Sequence, residues 1–253
     1  MKQYLVRIVL LATLLLSIST LVYAGPGNCA VTPSDPSCAP TLSMTYKIGN
    51  GATQHIAFSG TPVYTNGAWQ QNFDPQIFPD FLFTSGQLVS SPDPFIGFSF
   101  GVINSSNAVM TFNFDFATPY AGGPYVYAQS IFAGVLIDTN STGTSTVAPF
   151  SSSFIMNTFD SGHLISALGI GQGCTTVASV CSSPDNGAIG PLPWTSAATS
   201  TLEVKGAFTV TPGGQFILTG RSLLMPVPEP GTLALLGTGI IGLAATLRRK
   251  ISR

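Results

Sequence analysis

Charged side chains are what this sequence has least of. Only 8% of its 253 residues are Asp, Glu, Lys or Arg, and the formal net charge at pH 7 is −1. Residues 25–226 hold three basic side chains, Lys47, Lys205 and Arg221, against nine acidic ones, which gives that segment a net charge of −6. A segment with so few cations cannot form the basic patch on which nucleic-acid binding depends. We therefore exclude nucleic acid as a partner.

Side chains suited to catalysis or metal binding are also scarce. There are two histidines, His55 and His163, and neither has the spacing of a metal ligand. Asp160-Ser161-Gly162-His163 contains an acid, a nucleophile and a base, but adjacent loop residues cannot converge as a triad, and Gly-x-Ser-x-Gly is absent. Asp138–Gly143 places oxygen ligands at alternate positions but lacks the remaining acids of a calcium loop, so a turn explains it better. We predict no enzyme, no cofactor and no metal site, with a secreted hydrolase as the remote alternative.

The four cysteines form two separate pairs along the chain. Eight residues separate Cys29 from Cys38, and six separate Cys174 from Cys181. A zinc site would use closer pairs and usually histidine, so this spacing favours disulfides and an oxidising compartment. Four cysteines allow three pairings. We favour Cys29–Cys38 and Cys174–Cys181, because each bond closes a small loop in a Pro- or Ser-rich segment.

The N-terminus has the organisation of a signal peptide. Two basic residues precede the apolar segment Ile8–Leu16, and Val22-Tyr23-Ala24 is a small-residue cleavage site. We predict a signal helix over residues 1–24 that is cut between Ala24 and Gly25. An uncleaved anchor is the alternative, because the apolar stretch approaches the length of a membrane span.

The C-terminus combines a rigid motif, an apolar run and a basic end. Val227-Pro228-Glu229-Pro230 is extended, because each proline fixes its own φ and disfavours a helical residue before it. The apolar residues 231–247, about 17 of them, would span roughly 25 Å as a helix, the short end of what crosses a bilayer. The basic residues in 248–253 then stay in the cytoplasm. We predict a single transmembrane helix over 231–247, whereas a helix on a soluble core would not explain the basic end.

This tail resembles the PEP-CTERM sorting signal, also catalogued as an ice-binding protein C-terminal domain. The resemblance rests on Val227–Pro230, on the Gly- and Leu-rich run 231–247, and on Arg248-Arg249-Lys250. It implies that an exosortase, a membrane-embedded cysteine transpeptidase, recognises Pro228–Pro230 and cuts nearby. It also implies a precursor anchored in the inner membrane of a Gram-negative bacterium that makes exopolysaccharide and biofilm. The mature part, residues 25–226, would then reach the cell surface or the extracellular matrix.

Residues 25–226 have the alternation of β-strands. In Val109–Ala117 the apolar Met110, Phe112, Phe114 and Phe116 alternate with polar residues, and Leu42–Ile48 and Ile96–Val102 alternate in the same way. Few stretches have helical periodicity, and Gly and Pro punctuate the segment throughout. We predict a mainly β domain, a jelly-roll-like antiparallel β-sandwich.

Strand pairing can be predicted at two turns. Thr211–Gly214 separates Val204–Val210 from Phe216–Leu218 and is expected to form a hairpin turn. Tyr125–Asp138 follows a Gly-Gly-Pro turn and is expected to pair with the strand before it. Residues 25–40 and 172–200 are expected to be loops, the second tied by a disulfide.

These features together predict an exported, non-enzymatic surface or matrix protein. The alternative is a carbohydrate-binding module that retains exopolysaccharide. Trp69 lies next to three amide residues, Gln70, Gln71 and Asn72, a composition suited to a sugar contact. A tryptophan packed in the core is the competing interpretation.

Overall fold

The computed structural model describes Cys29, residues 32–121, 125–140, 144–150, 154–169, 172–173, 180–189 and 199–226, and Thr238. Gly25–Met225 is one of two compact units, and the other comprises Met1–Ala24 with Pro226–Arg253. The predicted signal peptide, its cleavage site and the helix predicted over 231–247 lie outside the described residues, apart from Thr238. Within the described ranges, no helix is long and apolar enough to cross a membrane.

Antiparallel strands make up most of the described chain. A 3₁₀ turn at Pro36–Cys38 precedes them. The strands, numbered in chain order, are β1 Thr41–Ile48, β2 Gln54–His55, β3 Val63–Thr65, β4 Ala68–Phe73, β5 Gln76–Ile77, β6 Phe81–Phe83, β7 Gly86–Ser91, β8 Phe95–Asn104, β9 Met110–Ala121, β10 Tyr125–Asp138, β11 Thr146–Pro149, β12 Met156–Asp160, β13 His163–Leu168, β14 Gln172–Gly173, β15 Val180–Ile189, β16 Thr199–Val210 and β17 Gly214–Pro226.

The strands form two sheets, which we name sheet A and sheet B. Sheet A has the order β13-β12-β16-β9-β1-β2, and β11 pairs with β16 and β14. Sheet B has the order β15-β10-β17-β8-β7-β4-β3, with β6 pairing with β8 and β5. The prediction of a mainly β antiparallel sandwich is therefore confirmed.

A phenylalanine-rich core lies between the two sheets. The predicted strand 109–117 is confirmed as β9, and its Met110, Phe112, Phe114 and Phe116 are all buried. The Phe98 ring of β8 lies 5.3 Å from that of Phe114, so side chains of sheet B pack directly on sheet A. Burying one such side chain contributes about 1.5–3 kcal/mol. The alternation in β1 and β8 is confirmed in the same way, since their inward positions are buried or packed against this core.

Both predicted strand pairings are wrong. β9 lies in sheet A between β1 and β16, whereas β10 lies in sheet B between β15 and β17. The turn Thr211–Gly214 likewise leads from β16 in sheet A to β17 in sheet B and closes no hairpin. Alternation indicates which face of a strand is buried, but two strands have the same pattern whether they lie side by side or face each other across a sandwich.

The expected loop 172–200 contains an edge strand. Val180–Ile189 is β15, which pairs with β10 along its whole length and forms one end of sheet B. Its Pro184 stands opposite Ala133 in that ladder. Proline is tolerated on an edge strand because one side of the strand needs no ladder hydrogen bonds. Residues 32–40, within the expected loop 25–40, contain the 3₁₀ turn Pro36–Cys38 and otherwise turns and bends, as expected of a loop.

A cluster of buried hydroxyl groups links the two sheets within the core. Ser130 of β10 and Ser222 of β17 come from sheet B, and Thr158 of β12 and Ser166 of β13 come from sheet A. Their oxygens lie 2.6–3.2 Å apart, so each buried hydroxyl has a partner in the cluster. Such satisfied groups avoid the cost of burying an unpaired polar atom, about 1–3 kcal/mol each.

Candidate functional site

The outer face of sheet A carries a groove of about 350 Å³. The groove crosses the four neighbouring strands β1, β9, β16 and β12, whose inward positions form the core. We call it the sheet A groove. It is lined by Ser43, Thr45, Asn113, Phe114, Asp115, Asn157, Phe159, Lys205, Gly206 and Ala207.

Strand register arranges the lining side chains in rows across the sheet. In the first row, Asn157 stands opposite Lys205, Lys205 opposite Asp115, and Asp115 opposite Ser43. Directly opposed residues in antiparallel strands lie about 4.5–5.5 Å apart, so neighbours in a row can contact one another. The short side chain of Ser43 ends the first row and leaves space above the sheet.

A second row runs beside the first. Ala207 stands opposite Asn113, and Asn113 stands opposite Thr45. The Asn113 Nδ2 donates a hydrogen bond of 3.2 Å to Thr45 Oγ1. The short Ala207 side chain leaves the floor open at this point, while the amide and hydroxyl groups supply donors and acceptors beside it.

The charged groups of the groove form one ion triplet. Lys205 Nζ lies 2.8 Å from Glu203 Oε1 and 3.4 Å from Asp115 Oδ2. The Lys205 side chain is 46% exposed and that of Asp115 is 41% exposed. Ion pairs this exposed contribute at most about 1 kcal/mol each, because solvent screens them. The triplet therefore matters less for stability than for the local charge: Asp115 and Lys205 line the groove, and with Glu203 beside them the three groups carry a net charge of −1.

The pKa values of the triplet follow from its geometry. Burial raises the pKa of the Asp115 carboxyl, and the negative charge of Glu203 raises it further, while Lys205 opposes this shift. A hydrogen bond to Glu203 raises the pKa of Lys205. Lys205 is therefore cationic at neutral pH, and Asp115 takes up a proton at a higher pH than an ordinary aspartate.

Apolar side chains border the groove on the β12 side. Phe159 lines it directly and stands opposite Leu164 of β13, which is exposed. The register between β12 and β13 shifts just before Phe159, a bulge of the kind that re-aims side chains. Phe150 is also exposed, and its N–H donates to Ala207 O at 3.1 Å, beside the groove floor. We call Phe150, Phe159 and Leu164 the apolar rim.

Trp69, the residue predicted to contact a glycan, lies elsewhere. It belongs to β4 in sheet B and is only 5% exposed. Its Nε1 donates a 3.0 Å hydrogen bond to Pro33 O, and its ring meets the edge of Tyr64. A ring this buried presents no open face to a sugar. The geometry gives no support to a glycan contact at Trp69 and places the ring in the packing of residues 32–38 on sheet B.

The Asp160–His163 segment is the turn between β12 and β13. Ser161 has φ 49° and Gly162 has φ 86°, the left-handed conformation of a two-residue hairpin turn. The buried Asp160 carboxylate accepts hydrogen bonds from Tyr120 Oη and, at 3.1 Å, from Ser161 Oγ. These bonds tie the Asp160 carboxylate to the turn and to β9, so its observed role is to organise the hairpin.

Asp138 likewise organises a turn at the end of β10. Its buried carboxylate accepts hydrogen bonds from Ser145 Oγ at 3.1 Å and from Asn140 N–H at 3.4 Å. Thr139 N–H and Oγ1 both donate to Gly213 O.

Across the described part of the chain, no group of three His, Cys, Asp or Glu side chains could hold a metal ion.

One of the two predicted disulfides lies within the described residues. Cys29 and Cys38 are bonded, with their Cα atoms 5.5 Å apart, so this pairing is confirmed. Cys174 lies outside the described residues, and only the backbone of Cys181 is described, as part of β15. The Cys174–Cys181 bond stays a prediction.

The C-terminal segment matches a known family. Residues 226–250 match the PEP-CTERM protein-sorting motif. The chain carries a PEP-CTERM sorting motif. The interpretation of Val227–Pro230 is thereby confirmed, and the motif marks an exported protein that an exosortase processes at the membrane. β17 ends at Pro226, which is also the first residue of the matched range.

No curated protein matches this chain. Among solved structures, TmCBM61 in complex with beta-1,4-galactotriose is 9% identical, with 64% of this chain and 90% of that chain covered and a TM-score of 0.27. The Family 11 Carbohydrate-Binding Module from Clostridium thermocellum is 6% identical, with 75% of this chain and 99% of that chain covered and a TM-score of 0.18. The enzymatically active domain of bacteriophage CBA120 tailspike protein 4 is 14% identical, with 79% of this chain and 21% of that chain covered and a TM-score of 0.24. TM-scores this low establish neither a shared ligand nor a shared activity.

Proposed function

We propose that this protein is a non-enzymatic component of the cell surface or extracellular matrix that binds a polysaccharide through the sheet A groove. In this proposal residues 1–24 direct export, and residues 231–247 hold the precursor in the inner membrane of a Gram-negative bacterium. An exosortase then cuts near Pro228–Pro230 and leaves a jelly-roll-like body. The observation that carries the proposal is the groove itself, in which rows of amides and hydroxyls cross four strands beside an apolar rim.

The chemistry of the lining suits sugars. Amides and hydroxyls both donate and accept hydrogen bonds, as sugar hydroxyls do, and Asn113, Asn157, Ser43 and Thr45 offer these groups within one face. An aromatic side chain such as Phe159 can pack against the apolar face of a sugar ring. A groove that crosses four strands extends for about 14 Å at a strand spacing of roughly 4.8 Å, which suits a polymer better than a small metabolite.

The ion triplet favours binding over hydrolysis. Asp115 and Glu203 both contact Lys205 Nζ, so their carboxylates lie within about 6 Å of each other, close to the separation of a retaining glycosidase pair. Such a pair must flank the scissile bond, with open space between the two carboxyl groups. Here the Lys205 ammonium occupies that space. This arrangement supports a binding role for the carboxylates and not a catalytic one.

The test is an affinity measurement on the full chain, purified in detergent from the membrane fraction, against extracellular polysaccharide of the producing cells. An Asn113→Ala, Asn157→Ala double variant is expected to bind about tenfold more weakly, since each lost hydrogen bond costs about 0.5–1.5 kcal/mol. Asn72→Ala, an exposed amide on the outer face of sheet B, is the matched control and should bind as the wild type does.

Two results would count against this function. Wild-type protein that binds no fraction of the polysaccharide would leave a structural surface protein without a glycan ligand. Release of reducing ends by the wild type, abolished by Glu203→Gln, would instead make the protein a hydrolase.

A further inference from the structure

We propose that the sheet A groove selects a neutral polysaccharide and rejects acidic ones, because its lysine is already paired with two carboxylates. This inference rests on the proposed function and narrows it to a substrate class. An acidic polysaccharide carries carboxylate or sulfate groups along its chain, and it needs cations that are free to receive them. The described groove supplies none that is free.

Lys205 is held by two carboxylates. Among the described residues that line the groove, Lys205 is the one cation. Glu203 contacts its Nζ at 2.8 Å and Asp115 at 3.4 Å, from its own strand and from the neighbouring strand. A sugar carboxylate could reach Nζ only by displacing one of these oxygens, which would leave a protein carboxylate without its partner beside a new negative charge. Like charges placed together at a binding surface cost several kcal/mol.

The other cations of residues 25–226 do not line the groove. Lys47 lies on the same outer face of sheet A, at a register position opposite Thr111, beyond the rows that line the groove. Arg221 lies on β17 in sheet B, in register with Gly97 of β8. Residues 25–226 hold no fourth basic residue, and they carry a net charge of −6. The long-range field of this segment therefore repels a polyanion as well.

The groups that line the groove beside the triplet are uncharged. Asn113, Asn157, Ser43 and Thr45 offer uncharged donors and acceptors, and Phe159 offers an apolar surface. These groups can form hydrogen bonds with uncharged sugar hydroxyls while the ion pairs of Lys205 stay intact. The carboxylates of the triplet can also accept hydrogen bonds from sugar hydroxyls, since each ionised carboxylate has several acceptor positions.

The experiment compares two polymers on the same full-length protein, purified in detergent. Dextran is the neutral probe, and alginate, a polymer of uronic acids, is the acidic probe. Wild-type protein is expected to bind dextran and not alginate. The Asp115→Asn, Glu203→Gln double variant frees Lys205 and is expected to bind alginate at least about tenfold more tightly than the wild type does. The gained binding should vanish in about 0.5 M salt, where the screening length falls well below 10 Å.

A matched control distinguishes an effect of the groove on alginate binding from an effect of the protein's net charge. Asp74→Asn, Asp80→Asn makes the same change in net charge at two exposed residues that do not line the groove. This control should gain little affinity for alginate. Thermal melting of every variant checks folding, and the single Glu203→Gln variant, with a smaller expected gain, serves if the double variant is unstable.

The outcomes separate this inference from the proposed function. Wild-type binding of alginate as tight as that of dextran would overturn the selectivity and leave polysaccharide binding in place. An equal gain in alginate binding for the Asp74, Asp80 control would assign the effect to net charge and also overturn the inference. If the wild type binds neither these polymers nor the polysaccharide of the producing cells, the proposed function itself fails.

Discussion

Replacing Pro228, Glu229 and Pro230 by alanine is expected to stop exosortase processing and leave the precursor in the membrane fraction. The PEP-CTERM motif covers these residues. Two prolines hold the strip extended before it is bound, and glutamate supplies its one charge. Alanine removes both the restriction to an extended backbone and the negative charge. The exosortase would then recognise neither the shape nor the charge of the motif. Pulse-chase labelling followed by immunoblotting measures the fraction of the shorter product.

The control for this prediction is a second acid–proline pair. Asp74 and Pro75 are exposed between β4 and β5, and their replacement by alanine should leave processing at the wild-type rate. Mass spectrometry of extracellular wild-type protein should find no peptide from the apolar run 231–247. Normal conversion of the triple alanine variant, or an intact C-terminus on extracellular protein, would contradict the sorting account.

Gly206→Val is expected to destabilise the body by about 2–3 kcal/mol, the upper range for overpacking a core. Gly206 lies on β16 opposite Phe114 of β9 on one side and Met156 of β12 on the other. A Cβ at this position would lie 2.1 Å from Phe114 Cζ and 2.5 Å from Ile155 O, so a ring and a backbone carbonyl would both have to move. For a body of about 200 residues this corresponds to a fall of roughly 5–10 °C in Tm.

Ala133→Val is the control for overpacking. Ala133 is half-buried on β10, at a position that alternates with the buried Phe132 and Gly134, so the two added methyl groups meet less packed surroundings. Differential scanning calorimetry should find a Tm for this variant close to that of the wild type. A Gly206→Val protein that melts at the wild-type temperature would mean that Phe114 does not cover β16 as described.

Residue alternation made the faces of the strands predictable, but not their neighbours. The sequence places Asn113 and Asp115 on the face of β9 opposite to Phe112 and Phe114, and the structure confirms that division. That Asp115 meets Lys205, 90 positions later in the chain, depends on the register between β9 and β16. Register is set by packing over the whole sheet, so the groove could not be assembled from the sequence.

Two segments that suggested ligand binding or catalysis contain short hairpin turns. Asn66-Gly67 and Ser161-Gly162 both adopt positive φ and join β3 to β4 and β12 to β13 as two-residue hairpins. Asn-Gly is the strongest short signal for such a turn. The first lies beside Trp69 and the second inside the Asp160–His163 segment, so local turn chemistry explains residues whose composition suggested ligand binding or catalysis.

The burial of Trp69 could not be predicted for a related reason. Its indole N–H is bonded to Pro33 O, 36 residues earlier in the chain, and that contact exists only after residues 32–38 close over sheet B. Neighbouring amides indicate polarity along the chain but not what covers the ring in the fold.

Carboxyl footprinting tests most directly whether the sheet A groove is the binding surface. Carboxyl groups of the full-length protein are labelled by carbodiimide coupling with and without saturating dextran, which has no carboxyl group of its own. If dextran binds in the groove, it should slow labelling of Asp115 and Glu203, while the exposed Asp74, Asp80 and Asp93 outside the groove keep their rates. Unchanged labelling of Asp115 and Glu203 in the presence of bound dextran would contradict binding in the groove.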